Sequence, residues 1–121
     1  MSERTVTVFT TDHGEVTIPE PAWCQARHEW EAYREDIEHQ GAELVATIPT
    51  LCHGLVEVMG VSLVQRPFSP TEPRVHAVLN ASEDWHALSA AGLDVAAGIL
   101  VEHASAIRKL ARELSVMEDG R

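Results

Sequence analysis

A chain of 121 residues with 45% apolar content has the size of one ordinary domain, which argues against wholesale disorder. Its net charge of −10 argues against direct nucleic-acid binding and against an anionic membrane surface, because both need Lys and Arg. Aromatic residues make up only 5%, so the expected core is Val, Leu, Ile and Ala, thin enough for a metal staple to help.

Met1-Ser2-Glu3-Arg4 leads straight into an alternating strand, without the apolar stretch of a signal peptide. No apolar run approaches the ~20 residues of a membrane span. A cytoplasmic setting is therefore expected, in which Cys24 and Cys52 stay reduced and metal binding outranks a disulfide. Thr5 to Ile18 predicts a β-hairpin, with Val6, Val8, Val16 and Ile18 alternating with polar residues. Asp12-His13-Gly14 supplies its turn, and Pro19 and Pro21 end its second strand.

Residues 22–43 differ in kind. They lack strand alternation, hold Trp23 and Trp30, and predict a loop with at most a turn or two of helix around Glu29–Arg34. From Asp12 to Glu43 nine carboxylates face two arginines, Arg27 and Arg34, a net −7 that leaves −3 for the remainder. A loop this long inside a compact domain needs an organiser.

Glu43 to Ile48 predicts a strand closed by Pro49. Leu55 to Gln65 predicts a longer one, whose apolar phase switches at Gly60 and so suggests a bulge there. Arg66 to Pro73 holds three prolines and reads as a rigid loop. Arg74 to Leu79 and Asp84 to Leu88 complete the strands. Ser89 is the expected N-cap of a C-terminal helix over 89–118. Leu93, Ala96, Leu100, His103, Ile107, Leu110, Leu114 and Met117 recur at intervals of 3,4,3,4,3,4,3. That stripe suits a helix laid on a sheet or, alternatively, the seam of a homodimer through the C-terminal helix.

The sharpest chemical signal is Cys24, His28, Asp36 and His39 within sixteen residues. Zinc prefers Cys thiolate and His nitrogen, with carboxylate oxygen as a harder fourth ligand. Cys24-x3-His28 places two ligands on one tight turn, and His39 returns after a short loop. Asp36 lies three residues before His39, so one helical turn would aim both the same way. If Asp36 instead accepts from an imidazole N–H, the fourth position passes to Cys52, His53 or water. Adjacent Cys52 and His53 point to opposite faces of an extended chain, which makes them poorer ligands.

Catalytic signatures are absent from the sequence. His28-Glu29 is followed by Trp30-Glu31-Ala32 and makes no HExxH, and there is no GxSxG, P-loop or GxGxxG. A Cys24/His28 nucleophile pair sits among acids, which raise a thiol pKa rather than activate it. A three-ligand site with an open water would instead be a small hydrolase, with Glu29, Glu31 or Glu35 as base. Trp23 and Trp30 flank the ligands, either as a shield or as an exposed anchor for a partner.

The strings Thr5-Val6-Thr7-Val8, Asp12-His13-Gly14-Glu15-Val16-Thr17-Ile18-Pro19, Pro21-Ala22-Trp23-Cys24 with His28, Arg34-Glu35-Asp36-Ile37-Glu38-His39-Gln40-Gly41 and the tail from Ala91 to Leu114 carry a resemblance. They look like a family of small uncharacterised actinobacterial domains of streptomycete-type genomes and their mobile elements. The specific part is Trp-Cys…His…Asp…His-Gly, with Gln40 inserted before Gly41. The resemblance implies candidate ligands at Cys24, His28 and His39, with Asp36 inside the same motif, and no assigned activity.

The expectation is a single α+β domain over 1–121, divided as 1–20, 21–43, 44–88 and 89–118. It comprises an antiparallel sheet of about five strands, a metal-organised loop and a C-terminal helix packed on the sheet. The expected function is a non-enzymatic Zn2+-binding accessory or protein-interaction domain. The alternatives are an acidic nucleic-acid mimic that occupies a basic protein, and a zinc hydrolase with an open coordination site.

Overall fold

A computed structural model describes residues 4–119. Met1, Ser2 and Glu3, where the signal-peptide reading rests, lie outside the described residues. The architecture is α+β, and the chain divides between Leu88 and Ser89 into a β-rich unit and a helical one.

The β-rich unit holds two sheets. Strands β1 (Thr5–Thr10) and β2 (Gly14–Pro19) form the N-terminal hairpin in the register Val6↔Ile18 and Val8↔Val16. A two-residue strand, β3 (Trp30–Glu31), joins β1 in parallel to complete a three-stranded sheet. The alternation of the hairpin delivers Val8 and Ile18 to the core, where Ile37 meets them and Val6, Val16 and Phe68 close round. Residues Glu29–Arg34 are thus not helical. Trp30 and Glu31 take the free edge of β1, and a single 3₁₀ turn forms later, at Arg34–Asp36.

The second sheet is antiparallel and five-stranded. It contains β4 (His39–Gln40), β5 (Leu44–Thr50), β6 (Gly54–Gln65), β7 (His76–Ala81) and β8 (Asp84–Leu88). β6 is the hub, pairing with β4, β5 and β7. Pro49 does not close β5. It stays in the ladder opposite Leu55, which an edge strand tolerates because its outer side needs no N–H donor. The bulge also lies elsewhere than the sequence suggests. The register slips between Ala46 and Thr47, opposite Met59 and Glu57, so Val58 is the extra residue. Gly60 instead admits Glu43, whose carboxyl would lie 2.7 Å from a Cβ placed there.

Two of the hairpins turn on one device. In Thr10-Thr11-Asp12-His13-Gly14, the Thr10 hydroxyl donates to the Gly14 carbonyl (2.8 Å) and accepts from the His13 N–H (3.0 Å). In Thr50-Leu51-Cys52-His53-Gly54, Thr50 does the same with Gly54 (2.9 Å) and His53 (3.0 Å). Both glycines need their freedom, at φ of 63° and 64°. The β7–β8 turn has no glycine, and places Ser82 and Glu83 at φ of 52° and 68°.

The helical unit is α1 (Ala90–Asp119), a single helix of 30 residues. Ser89 caps it, its hydroxyl accepting from the Gly92 N–H at 3.1 Å. No residue of α1 is buried. By length and composition α1 is apolar enough to cross a membrane, contrary to the expectation from apolar runs, although Asp94 and Glu102 fall within its apolar half.

Candidate metal centre

The segment joining the two sheets carries the chemistry. β2 ends at Pro19, and the next residues fold back in a turn in which the Cys24 N–H donates to the Pro21 carbonyl (3.0 Å). That turn sets Cys24 beside Glu20. The Gln25 N–H then donates to the Gln40 carbonyl at 2.8 Å, strapping the turn to β4 and hence to His39. β4 is held in turn by β6, with His39 opposite Gln65. Gly41 follows because Trp23 lies against the backbone there; an added Cβ would meet the indole and the Trp23 carbonyl at 3.4 Å.

Glu20, Cys24, His28 and His39 converge, each offering one ligand atom, and all four atoms lie within 4.8 Å of one another. The Cys24 thiol lies 3.5 Å from His28 Nε2, which is 2.8 Å from Glu20 Oε1. His39 Nδ1 stands 3.9 Å from the same oxygen. Tetrahedral zinc with these ligand types needs edges of about 3.3–3.6 Å, given bond lengths near 2.0–2.3 Å. To reach that size the Glu20–His28 contact has to open and the Glu20–His39 separation to close, each by roughly half an ångström.

The centre is enclosed. Cys24 is 5% exposed, and the side chains of His28, His39 and Glu20 are 5%, 2% and 10% exposed. The His28 and His39 rings meet edge to face, 5.3 Å apart, and Trp23 covers His39 in the same manner at 6.3 Å. Trp23 therefore does the shielding. Trp30 does not; it is 64% exposed on β3.

The clustered groups shift one another's ionisation. Burial by itself would raise the Glu20 carboxyl, but donation from Cys24 and His28 and the charges of His28 and Arg4 outweigh it and hold Glu20 below its ordinary value. Burial pushes the Cys24 thiol up, and the neighbouring Glu20 adds to this. Burial pushes His39 down, helped by His28 and opposed by Glu20. His39 Nδ1 is a buried polar atom with no hydrogen-bond partner, which is costly unless something else occupies its lone pair.

Of the residues read from the sequence, the structure brings together Cys24, His28 and His39. It leaves Asp36 exposed on the 3₁₀ turn, outside the cluster. Cys52 and His53 are exposed in the β5–β6 turn, where His53 serves the Thr50 device. Glu20 was not anticipated. Its signal was the interval: Glu20-x3-Cys24-x3-His28 repeats one spacing, obscured by the prolines on either side of Glu20.

The chain belongs to the DUF6907 family, a domain of unknown function whose family model matches residues 5–116. No curated protein and no solved structure matches it.

Proposed function

We propose that this DUF6907 domain is a non-enzymatic zinc-binding module whose metal is structural, held by Glu20, Cys24, His28 and His39. The observation that carries the reading is the buried convergence of four ligand atoms with an unpartnered His39 Nδ1 among them. Zinc suits the set because it accepts thiolate, imidazole and carboxylate together in a tetrahedron. Four protein ligands leave no coordination position for water, which disfavours the hydrolase alternative. The metal would fasten the end of β2, in one sheet, to β4, in the other. In a core dominated by Val8, Ile18 and Ile37, such a clamp supplies stability that apolar burial does not.

Elemental analysis of untagged protein tests this, with about one zinc per chain expected for a single site. Cobalt substitution gives an independent reading: a thiolate-to-metal charge-transfer band and intense tetrahedral d–d bands report Cys24 and the geometry together. Metal-free protein that also refuses cobalt would overturn the proposal.

A second observation supports the protein-interaction half of the reading. Trp30 and Tyr33, 64% and 56% exposed, stand among Glu29, Glu31, Glu35 and Asp36. Exposed aromatics in an acidic field suit a basic protein partner, aromatic rings acting as anchors and carboxylates steering. Trp30→Ala should abolish capture of such a partner while leaving zinc content unchanged. Capture that survives both this change and raised salt would remove the reading.

A further inference from the structure

We propose that α1 pairs antiparallel with α1 of a second copy of this chain. The helix carries an apolar stripe that nothing in its own unit covers: Leu100, Ile107, Leu110, Leu114 and Met117 are 42–68% exposed. The stripe keeps alternating intervals of three and four residues from Leu93 to Met117. That is a period of about 3.5, the signature of a seam facing another helix, whereas a helix lying on a sheet favours a wider stripe of period 3.6.

The flanks of the stripe point to a close partner. Ala97, Ala104 and Ala111 border it on one side at strict seven-residue intervals, and Ala106 lies at the middle of the other. Alanine at flanking positions lets two helix backbones approach closely, the same steric allowance that small residues give in membrane helix pairs.

Polarity and direction follow from the charges. Asp94 and Glu102 lie in the first half of α1; the second carries Arg108, Lys109 and Arg112 at its start and Glu113, Glu118 and Asp119 towards its end. A parallel pair would align like charges and would stack His103 on the partner's His103. An antiparallel pair brings Glu102 level with the partner's Arg108 and opposes the two helix dipoles. In that register Leu93 faces the partner's Met117, Ala96 the partner's Leu114, Leu100 the partner's Leu110, and His103 the partner's Ile107. Seven of the eight stripe residues then face an apolar side chain, the exception being Ile107 against the partner's His103, and small Ala96 is matched to large Leu114.

These same charges disfavour a bilayer as the occupant. A crossing would bury Asp94 and Glu102. A surface helix would bring a chain of net charge −10 to anionic lipid.

The test uses the full chain carrying Cys52→Ser, which removes the exposed thiol. Analytical ultracentrifugation should give twice the 13.3 kDa chain mass, and Ile107→Glu should return it to 13.3 kDa. Disulfide trapping reads the direction independently of whether Ile107→Glu folds. Chains with Leu93→Cys mixed with chains with Met117→Cys should cross-link to each other. Leu93→Cys alone should not cross-link to itself. The two positions are roughly 36 Å apart along one helix, so a bond between them is necessarily between chains. A 13.3 kDa parent species overturns the proposal, and if that species sediments with phosphatidylglycerol vesicles the stripe belongs to a bilayer. Self-cross-linking of Leu93→Cys, or a dimer that survives Ile107→Glu, overturns it as well. None of these readouts depends on metal, so failure here is separable from failure of the zinc site.

Discussion

His39 Nδ1 faces Glu20 Oε1 from 3.9 Å, with both side chains nearly buried and no hydrogen bond between them. A neutral imidazole and a carboxylate left in this relation forgo a contact that a small movement would make. A cation between them would satisfy both, and the pair comes from opposite sides of the connection between the sheets.

The identity of the fourth ligand follows from that relation. Glu20→Gln removes the only carboxylate of the cluster while preserving its size. Outer-shell changes cost ~10–100-fold in metal affinity, so loss of a direct ligand should exceed about 100-fold. Asp36→Asn, on the exposed 3₁₀ turn, should leave zinc content intact and stability within about 0.5 kcal/mol. Competition titration with a chromophoric chelator measures both. Metal loss in Asp36→Asn with retention in Glu20→Gln would reverse the assignment.

The two cysteines should behave oppositely. Cys24→Ser should release metal and lower the melting temperature, because Cys24 is buried at the centre. Cys52→Ser, exposed in a turn, should change neither. Calorimetry with parallel elemental analysis decides.

Metal removal should be costly in proportion to affinity. Free zinc at a thousandfold excess over Kd stabilises the folded state by about 4 kcal/mol. Melts in chelator and in buffered zinc should therefore separate, and the separation should grow with the logarithm of free zinc. Coincident melts would mean the cluster does not bind zinc in the folded chain.

The pH dependence of metal-free protein should be two-sided. His39 is held below its ordinary 6.5, so the unfolded chain binds the extra proton first, and stability falls as pH drops below about 6.5. Glu20 is held below 4.5 and deepens the loss further into acid, as pH falls through its folded value. Cys24 is held above 9.0, so its contribution is intact below 9.0 and is lost as pH rises beyond it. Zinc should erase the alkaline limb, because a coordinated thiol is already deprotonated. Chemical denaturation from pH 5 to 10, with and without zinc, reads both limbs.

The β7–β8 turn offers a stability test remote from the metal. Ser82 and Glu83 both adopt positive φ, which non-glycine residues pay for. Glu83→Gly should stabilise the protein by roughly 0.5–1 kcal/mol, since glycine occupies that region freely. An unchanged or lowered midpoint in urea would show that the Glu83 side chain contributes something the turn geometry does not account for.

Where a residue's environment is local, the sequence sufficed. Val6, Val8, Val16 and Ile18 announce the hairpin, and Ser89 announces the helix start. Cys24, His28 and His39 could be picked out as candidate ligands from residue type alone. Asp36 failed as a neighbour of His39 because the three-residue spacing presumes a continuing helix. The chain instead turns extended at Ile37, with φ −60° and ψ 126°. Ile37 takes the core and Asp36 is turned to solvent. Glu20 was illegible for the converse reason. It lies between two prolines at a strand end, and only the turn through Pro21 and Cys24 brings it inward. Gly60 misled because glycine marks close approach as readily as it marks a bulge.

The pairing of β4 with β6 has a consequence for synthesis. All four ligand candidates lie between residues 20 and 39, so a ribosome exposes them before β6. Yet the strand bearing His39 finds its sheet partner only at Val64 and Gln65. The nascent chain thus carries a complete set of donors well before it can arrange them. If the centre takes zinc as proposed, a cell short of the metal would first reveal itself in the half-life of newly made molecules, and only later in those already folded.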